Sequence, residues 1–277
     1  MRWVKYIDFE YDGRRLSDFD SVLGSTDGGG LNTVMFGNNL EFTDVNMPFL
    51  KKVKTVSNKY GEMLTATFSV FKNPCYGMKR YTQDETNAIL RWLNSQTYKR
   101  FIPIYESTEW NRVIYHATFN VSNIMVDNDI IGFELQMSTD APFGYFEDAN
   151  HIAKGVTEDT PMYVSDMSVE VGYQYPKMTI TCNAAGDLTL TNKADKDNTV
   201  TVKNCIAGEI LTFSGDSKNL TSNVTHKTLY KDFNYKFPRI INSIGLDGQD
   251  VRTNTYVTNL DTDITLTYSP SCKAAVL

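Results

Sequence analysis

The sequence predicts a mainly β protein of two domains, the first with strands and one α-helix, the second made of strands alone. Three observations predict it. Apolar and polar side chains alternate with period two over much of the chain, from Ile7-Asp8-Phe9-Glu10-Tyr11 to Ile264-Thr265-Leu266-Thr267-Tyr268, and that period belongs to strands. One segment alone, beginning at Thr82, combines a helix start with helical spacing. Near residue 145 the character of the chain changes and it becomes rich in threonine. The length of 277 residues suits two domains, because single cores stop growing beyond roughly 250 residues. Sixteen tyrosines and fifteen phenylalanines against eight prolines favour packed β-structure.

Taken in order, Val4 to Tyr11 reads as a strand closed by an Asp12-Gly13 hairpin corner. Asp27-Gly28-Gly29-Gly30 reads as a loop before another strand-like stretch. Met47 to Tyr60 reads as a polar, lysine-rich connection, and Met63 to Phe71 resumes strand character. Thr82 and Glu85 form a capping box, each side chain meeting a free backbone N–H of the first helical turn. Ala88, Ile89, Trp92 and Leu93 then share one face, with Asn87, Arg91 and Asn94 toward water. Phe101 to Tyr105, Val113 to Met125 and Ile130 to Met137 read as the strands this helix covers, with Asp127-Asn128-Asp129 as a turn. The boundary follows Ala141-Pro142-Phe143-Gly144-Tyr145, giving domains 1–145 and 146–277. Glu147 to Pro161 reads as linker or early loop. Met178 to Cys182, Leu188 to Thr191, Val200 to Val202 and Ile264 to Tyr268 alternate as an antiparallel sandwich requires, hydroxyls on one face and apolar groups on the other. No helix is expected there.

Charge and motifs exclude several functions. With 27 basic and 33 acidic residues the net charge is −6, which argues against holding nucleic acid by phosphate neutralisation. No uncharged apolar run reaches about 18 residues, so no transmembrane helix is expected, and charged Asp8 and Glu10 follow the start too closely for a signal peptide. A soluble chain that works or assembles inside a cell is expected, and its three N-x-S/T triplets then count as chance matches. Cys75, Cys182, Cys205 and Cys272 are scattered and read as free structural thiols. His116, His151 and His226 lie too far apart for a shared metal on a helix. Gly28-Gly29-Gly30 lacks the Lys-Ser/Thr of a phosphate loop. Glu106 and Glu109 flank Trp110 as a glycosidase acid pair would, yet read as solvated loop charges. Asp195-Lys196-Asp197-Asn198 and Asp261-Thr262-Asp263 lack the glycine and distal glutamate of a calcium loop and read as turns. No catalytic, cofactor-binding or metal residue is assigned, so binding or assembly is expected, not catalysis.

The order of features resembles the distal tail (Dit) family of long-tailed, siphovirus bacteriophages. The residues that carry the resemblance are Tyr11-Asp12-Gly13, Ser17-Asp18-Phe19, Gly61-Glu62 leading into Leu64 to Phe71, and the capped helix Thr82 to Ser95. Phe101 to Tyr105, Ala141 to Tyr145, Gly186-Asp187 and Asp232 to Pro238 complete it. The resemblance implies an N-terminal β-sandwich with one helix that forms a homohexameric ring, and an outward C-terminal sandwich of galectin-like or carbohydrate-module-like kind. It implies a structural protein of the virion tail tip, made in the bacterial cytoplasm. Its neighbours would be the tail tube protein and a tail-associated lysin or baseplate protein, with DNA passing through the ring unbound and no membrane insertion. The alternative is a glycan-binding module adhering to the host surface, with Tyr163, Tyr173 and Tyr175 as candidate stacking rings. A third reading, a β-rich glycoside hydrolase, rests on Glu109.

Overall fold

The computed structural model describes residues 6–24, 40–46, 53–76, 80–106, 113–195, 198–244 and 250–273. It divides into two compact units, one running to Phe146 and taking back Cys272, the other spanning Glu147–Ser271.

In the first unit, Tyr6–Tyr11 (β1) turns into Arg14–Arg15 (β2) through Asp12 and Gly13. Both turn residues have positive φ, 50° and 75°, as a two-residue Asp-Gly hairpin demands. The other strands of this unit are Ser21–Gly24 (β3), Leu40–Val45 (β4), Lys54–Tyr60 (β5), Thr65–Lys72 (β6), Lys99–Tyr105 (β7), Tyr115–Val126 (β8), Asp129–Thr139 (β9) and Gly144–Tyr145 (β10). Seven of them form one antiparallel sheet in the order β2-β1-β7-β8-β9-β6-β3. Pro103 is tolerated inside β7 because pairing with β8 covers only Lys99 to Phe101; beyond it the strand pairs with β1 alone.

The helix, α1, spans Gln83–Leu93 with Thr82 as its N-cap. Thr82 Oγ1 accepts from Glu85 N at 3.3 Å, and Glu85 Oε2 accepts from Thr82 N at 2.8 Å. Ile89, Trp92 and Leu93 are buried as expected, but Ala88 is exposed and Thr86 is buried in its place. Trp92 stacks on Phe9 at 5.6 Å and on Phe19 at 4.5 Å, and its Nε1 donates to Tyr11 O at 2.8 Å. The indole thus satisfies its one polar atom while filling an aromatic core. Lys72, buried on β6, donates to Glu85 Oε1 at 2.5 Å. That bond is the first cause holding the Glu85 carboxyl below its ordinary range, with Thr82 N adding to it.

The second unit continues with Ala149–Val156 (β11), Met162–Ser165 (β12), Gly172–Gln174 (β13), Lys177–Cys182 (β14), Gly186–Asn192 (β15), Thr199–Cys205 (β16), Ile210–Ser214 (β17) and Asn219–Ser222 (β18). Ile240–Ile244 (β19), Asp250–Val251 (β20), Thr253–Thr258 (β21) and Thr262–Tyr268 (β22) follow. A five-stranded sheet, β11-β22-β14-β17-β18, and a four-stranded one, β12-β21-β15-β16, point their apolar residues into one core, with a three-stranded β13-β19-β20 beside them. Most of the core is aliphatic, Ile180, Leu190, Val202, Leu211, Ile264 and Leu266 alternating with outward threonines, with Phe213 and Tyr256 buried among them.

Three expectations fail. Part of the expected polar connection, Lys54–Tyr60, is a strand, and it reads as polar because six of its seven residues face water. Ala149–Val156, expected as linker, is the edge strand of the five-stranded sheet, largely exposed and so equally polar in sequence. A single helical turn, Leu229–Asp232 (α2), lies where no helix was expected. One turn is too short to show a helical period.

Candidate functional site: a bare ribbon and an aromatic cavity

Two places stand out, one in each unit. In the first unit β4 and β5 pair only with each other among the described residues. All six residues of β4 are exposed. The ribbon and the residue before β5 present Leu40, Phe42, Val45, Val53 and Val56 to solvent, with Phe42 at 59% and Val56 at 63%. Glu41 and Lys59 pair across the strands at 3.2 Å, and Thr55 Oγ1 donates to Asp44 Oδ1 at 2.7 Å. At the base, Tyr60 meets Phe143 edge to face at 5.8 Å, and Phe143 meets Tyr145 at 5.6 Å. Gly144 between them has no room for a Cβ, which would collide with Val113 and the Tyr115 ring. The small Pro-aromatic-Gly-Tyr motif therefore anchors the foot of the ribbon.

In the second unit, Glu209, His226 and Asp232 form a chain. His226 Nδ1 lies 2.9 Å from Glu209 Oε1 and Nε2 lies 3.1 Å from Asp232 Oδ2. Two carboxylates need both ring nitrogens as donors, which only the imidazolium supplies. Burial works against charge on His226, but its bonds to Glu209 and Asp232 outweigh it and hold the imidazole above its ordinary pKa. Burial likewise pushes Glu209 up, and bonds from His226, Ser222 and Ile206 N reverse that, leaving it below the ordinary carboxylate range. Asp232 is lowered by Thr228 and then by His226. This chain ties the end of α2 and the segment before it to the turn between β16 and β17, and beside it opens a cavity of about 310 Å³. Phe233, Phe237, Leu220 and Leu229 give it apolar walls, and Tyr230, Tyr235, Lys218 and Asn219 are polar or amphipathic members of its lining.

The residues singled out from sequence are not brought together. His116 is half exposed, 3.5 Å from Asp140, and His151 stacks on Tyr268 at 6.2 Å. Glu106 is exposed at the end of β7, while Glu109, Trp110, Gly28-Gly29-Gly30, Lys51 and Lys52 lie outside the described residues. Cys182, Cys205 and Cys272 are buried and unbridged, whereas Cys75 is exposed. Asp195, expected only to turn the chain, is buried and holds Arg239 through two bonds of 2.7 Å. Asp261 and Asp263 both accept from Asn183, at 3.0 and 3.2 Å, a turn as expected. Among the described residues no helix is long and apolar enough to cross a membrane. Tyr163 is exposed on β12, and Tyr173 and Tyr175 meet edge to face at 5.6 Å. Arg239 lies over the Tyr173 ring and Lys218 over Tyr175, so the three rings make no common flat platform. Sequence reasoning missed Glu209 and Asp232 as partners of His226. Their signal, an acid beside a turn and another inside Asp232 to Pro238, is visible only once the strands are paired.

The described residues form a two-unit β protein with one capped α-helix of more than a single turn and an outlying ribbon. Residues 4–141 match the family described as phage tail protein N-terminal domain, and residues 143–268 match the phage tail C-terminal domain. The chain belongs to these phage tail proteins. Its fold is that of a distal tail protein: it is similar to the Dit protein of SPP1, presented as a paradigm of the hub adsorption apparatus in Gram-positive infecting phages. That similarity has a TM-score of 0.61 at 8% identity, over 96% of this chain and 99% of the other. Comparison with curated protein sequences finds no match.

Proposed function

We propose that the chain is a tail hub: six copies form a ring that joins the tail tube to the tip or baseplate, and the genome passes through its channel. The observation that carries this reading is the β4–β5 ribbon. A lone two-stranded ribbon is marginal in water, and one bearing Leu40, Phe42 and Val56 on its surface calls for cover. A neighbouring copy supplies it. A head-to-tail contact that passes the ribbon of each subunit to the next closes into a ring when its rotation does. The similarity to a protein described as a hub supports the same reading.

Two consequences follow for the details. Lys59 is paired with Glu41 within the ribbon, and the ribbon would grip its neighbour through its exposed apolar side chains. The first 150 residues hold 15 basic and 19 acidic residues, and a lumen lined by acids would let DNA slide, since a basic one would bind it by counterion release. The ring would act without catalysis, at the virion tail tip, after assembly in the host cytoplasm, beside the tail tube protein and a lysin or baseplate protein. Negative-stain microscopy of the purified chain is the test. Rings with an open centre are expected, and a lysine-lined lumen at higher resolution would overturn the sliding argument.

A further inference from the structure

The cavity beside α2 is not needed for a ring, and its chemistry is specific. Phe233 is buried at its base, with the Tyr235 and Phe237 rings each 5.3 Å away. Tyr230 and Tyr235 stand at its rim, 61% and 66% exposed. Tyr235 holds a left-handed φ of 59°, a conformation that costs a bulky residue on the order of 1 kcal/mol or more. Its hydroxyl donates to Tyr230 O at 2.6 Å, which fixes the two residues as a unit. Lys218 and Asn219 also line the cavity, and neither side chain makes a hydrogen bond or ion pair among the described residues. Lys218 is carried on a turn whose Gly215 packs against the Tyr175 and Pro176 carbonyls, leaving no space for a Cβ.

Charge adds to this. Between residues 215 and 240 there are five Lys or Arg and two acids, in a chain whose net charge is −6. Of these, Arg239 is committed to Asp195 and Asp232 to His226, which leaves Lys218, lying over the Tyr175 ring, as the cation of the lining that faces no carboxylate partner.

We propose that this cavity binds a saccharide carrying one negative charge. The C–H face of a sugar ring is apolar and slightly positive, and it matches the negative face of a tyrosine ring. Asn219 offers both a donor and an acceptor to hydroxyls, and Lys218 answers the charge. The volume of about 310 Å³ sits at the small end of ligand pockets, which run about 300–1,000 Å³, and suits a mono- or disaccharide. A polyanion such as nucleic acid would need a row of free cations, whereas this lining offers Lys218 and a His226 already held between two carboxylates. The site differs from Tyr163, and it stands or falls separately from the ring.

The test is an array of neutral, uronate-bearing and phosphorylated saccharides probed with the full chain, followed by calorimetry on any ligand bound. Binding confined to charged members is expected, at least tenfold tighter than to their neutral counterparts. Tyr230→Ala and Tyr235→Ala should each weaken it tenfold or more, Lys218→Ala should erase the charge preference, and Tyr163→Ala should change nothing. All four side chains are exposed, and unchanged melting checks that the variants fold. A silent array, or binding indifferent to both rim tyrosines, overturns the proposal while leaving ring formation to its own test. Equal binding of neutral and charged members overturns the charge assignment.

Discussion

The two units solve the same problem with different materials. The first packs Phe9, Tyr11, Phe101, Tyr115, Phe119 and Phe133 into one core with Trp92 of α1, and leaves a ribbon with apolar side chains in water. The second packs aliphatic side chains between two sheets and buries charge, as Glu209 with His226 and as Asp195 with Arg239. The first unit relies on large rings and one pair at a buried lysine, Lys72 with Glu85, while in the second a histidine held between two carboxylates adds a dependence on pH near neutrality. The first unit leaves the apolar side chains of its ribbon in water, and the proposed ring would cover them. The second also exposes single apolar side chains such as Ile152 and Met167, and among its described residues carries the aromatic-lined cavity.

Calorimetry would sharpen the contrast, because two separate cores should give two transitions. Trp92→Ala removes a stacked ring and a buried hydrogen bond, and should cost the first transition about 3–5 kcal/mol while leaving the second in place. His226→Ala should do the reverse. It leaves Glu209, 1% exposed, without its cation, a loss of about 3 kcal/mol on the scale of broken buried pairs.

The pH profiles should differ in the same way. His226 is raised, so its contribution is complete below the unfolded value near about 6.5 and is lost as pH climbs through the folded one. Glu209 is lowered, so its contribution is present above the unfolded value near about 4.3 and is lost as pH falls through the folded one. Melting of the second unit should therefore decline on both sides, and His226→Gln should flatten the upper limb. In the first unit Glu85 is lowered and gives an acid limb. Glu85→Gln keeps a side chain that can complete the capping box but takes the counter-charge from buried Lys72, and should cost about 2 kcal/mol, the scale of a hydrogen bond to a charged group, measured by urea unfolding. The smallest effect is expected at Ala88, where Gln should stay within about 0.5 kcal/mol because the side chain faces water. A loss of 2 kcal/mol there would contradict the exposed position.

Much of this was legible in advance where local chemistry and burial agree. Thr82 and Glu85 announce α1, Asp12-Gly13 announces the first hairpin, and the threonine alternation marks strands of both sheets in the second unit. Ser17-Asp18-Phe19, read only as a family feature, proves to seat Phe19 on Trp92 while Asp18 Oδ2 accepts from Arg15 N at 2.8 Å. What stayed hidden was structure whose stabilising partner is distant in sequence or absent. β5 has no buried face and hence no pattern, and β11 is patterned only against β22, over a hundred residues away. The His226 chain joins Glu209, seventeen residues earlier, to Asp232 through tertiary pairing. The cavity arises where that chain folds Tyr230 and Tyr235 beside Lys218, which no spacing rule foresees.

The ribbon carries the central claim, and solution mass tests it most directly. Light scattering of the full chain over a concentration series, beside the variant Phe42→Asp with Val56→Asp, separates the two outcomes. The wild-type chain should reach a ring of six copies of 31.4 kDa, about 188 kDa. The variant should stay at 31.4 kDa with unchanged melting, since both residues lie on the surface. A wild-type chain that stays monomeric at every concentration, or a variant that forms the same ring, would contradict the account.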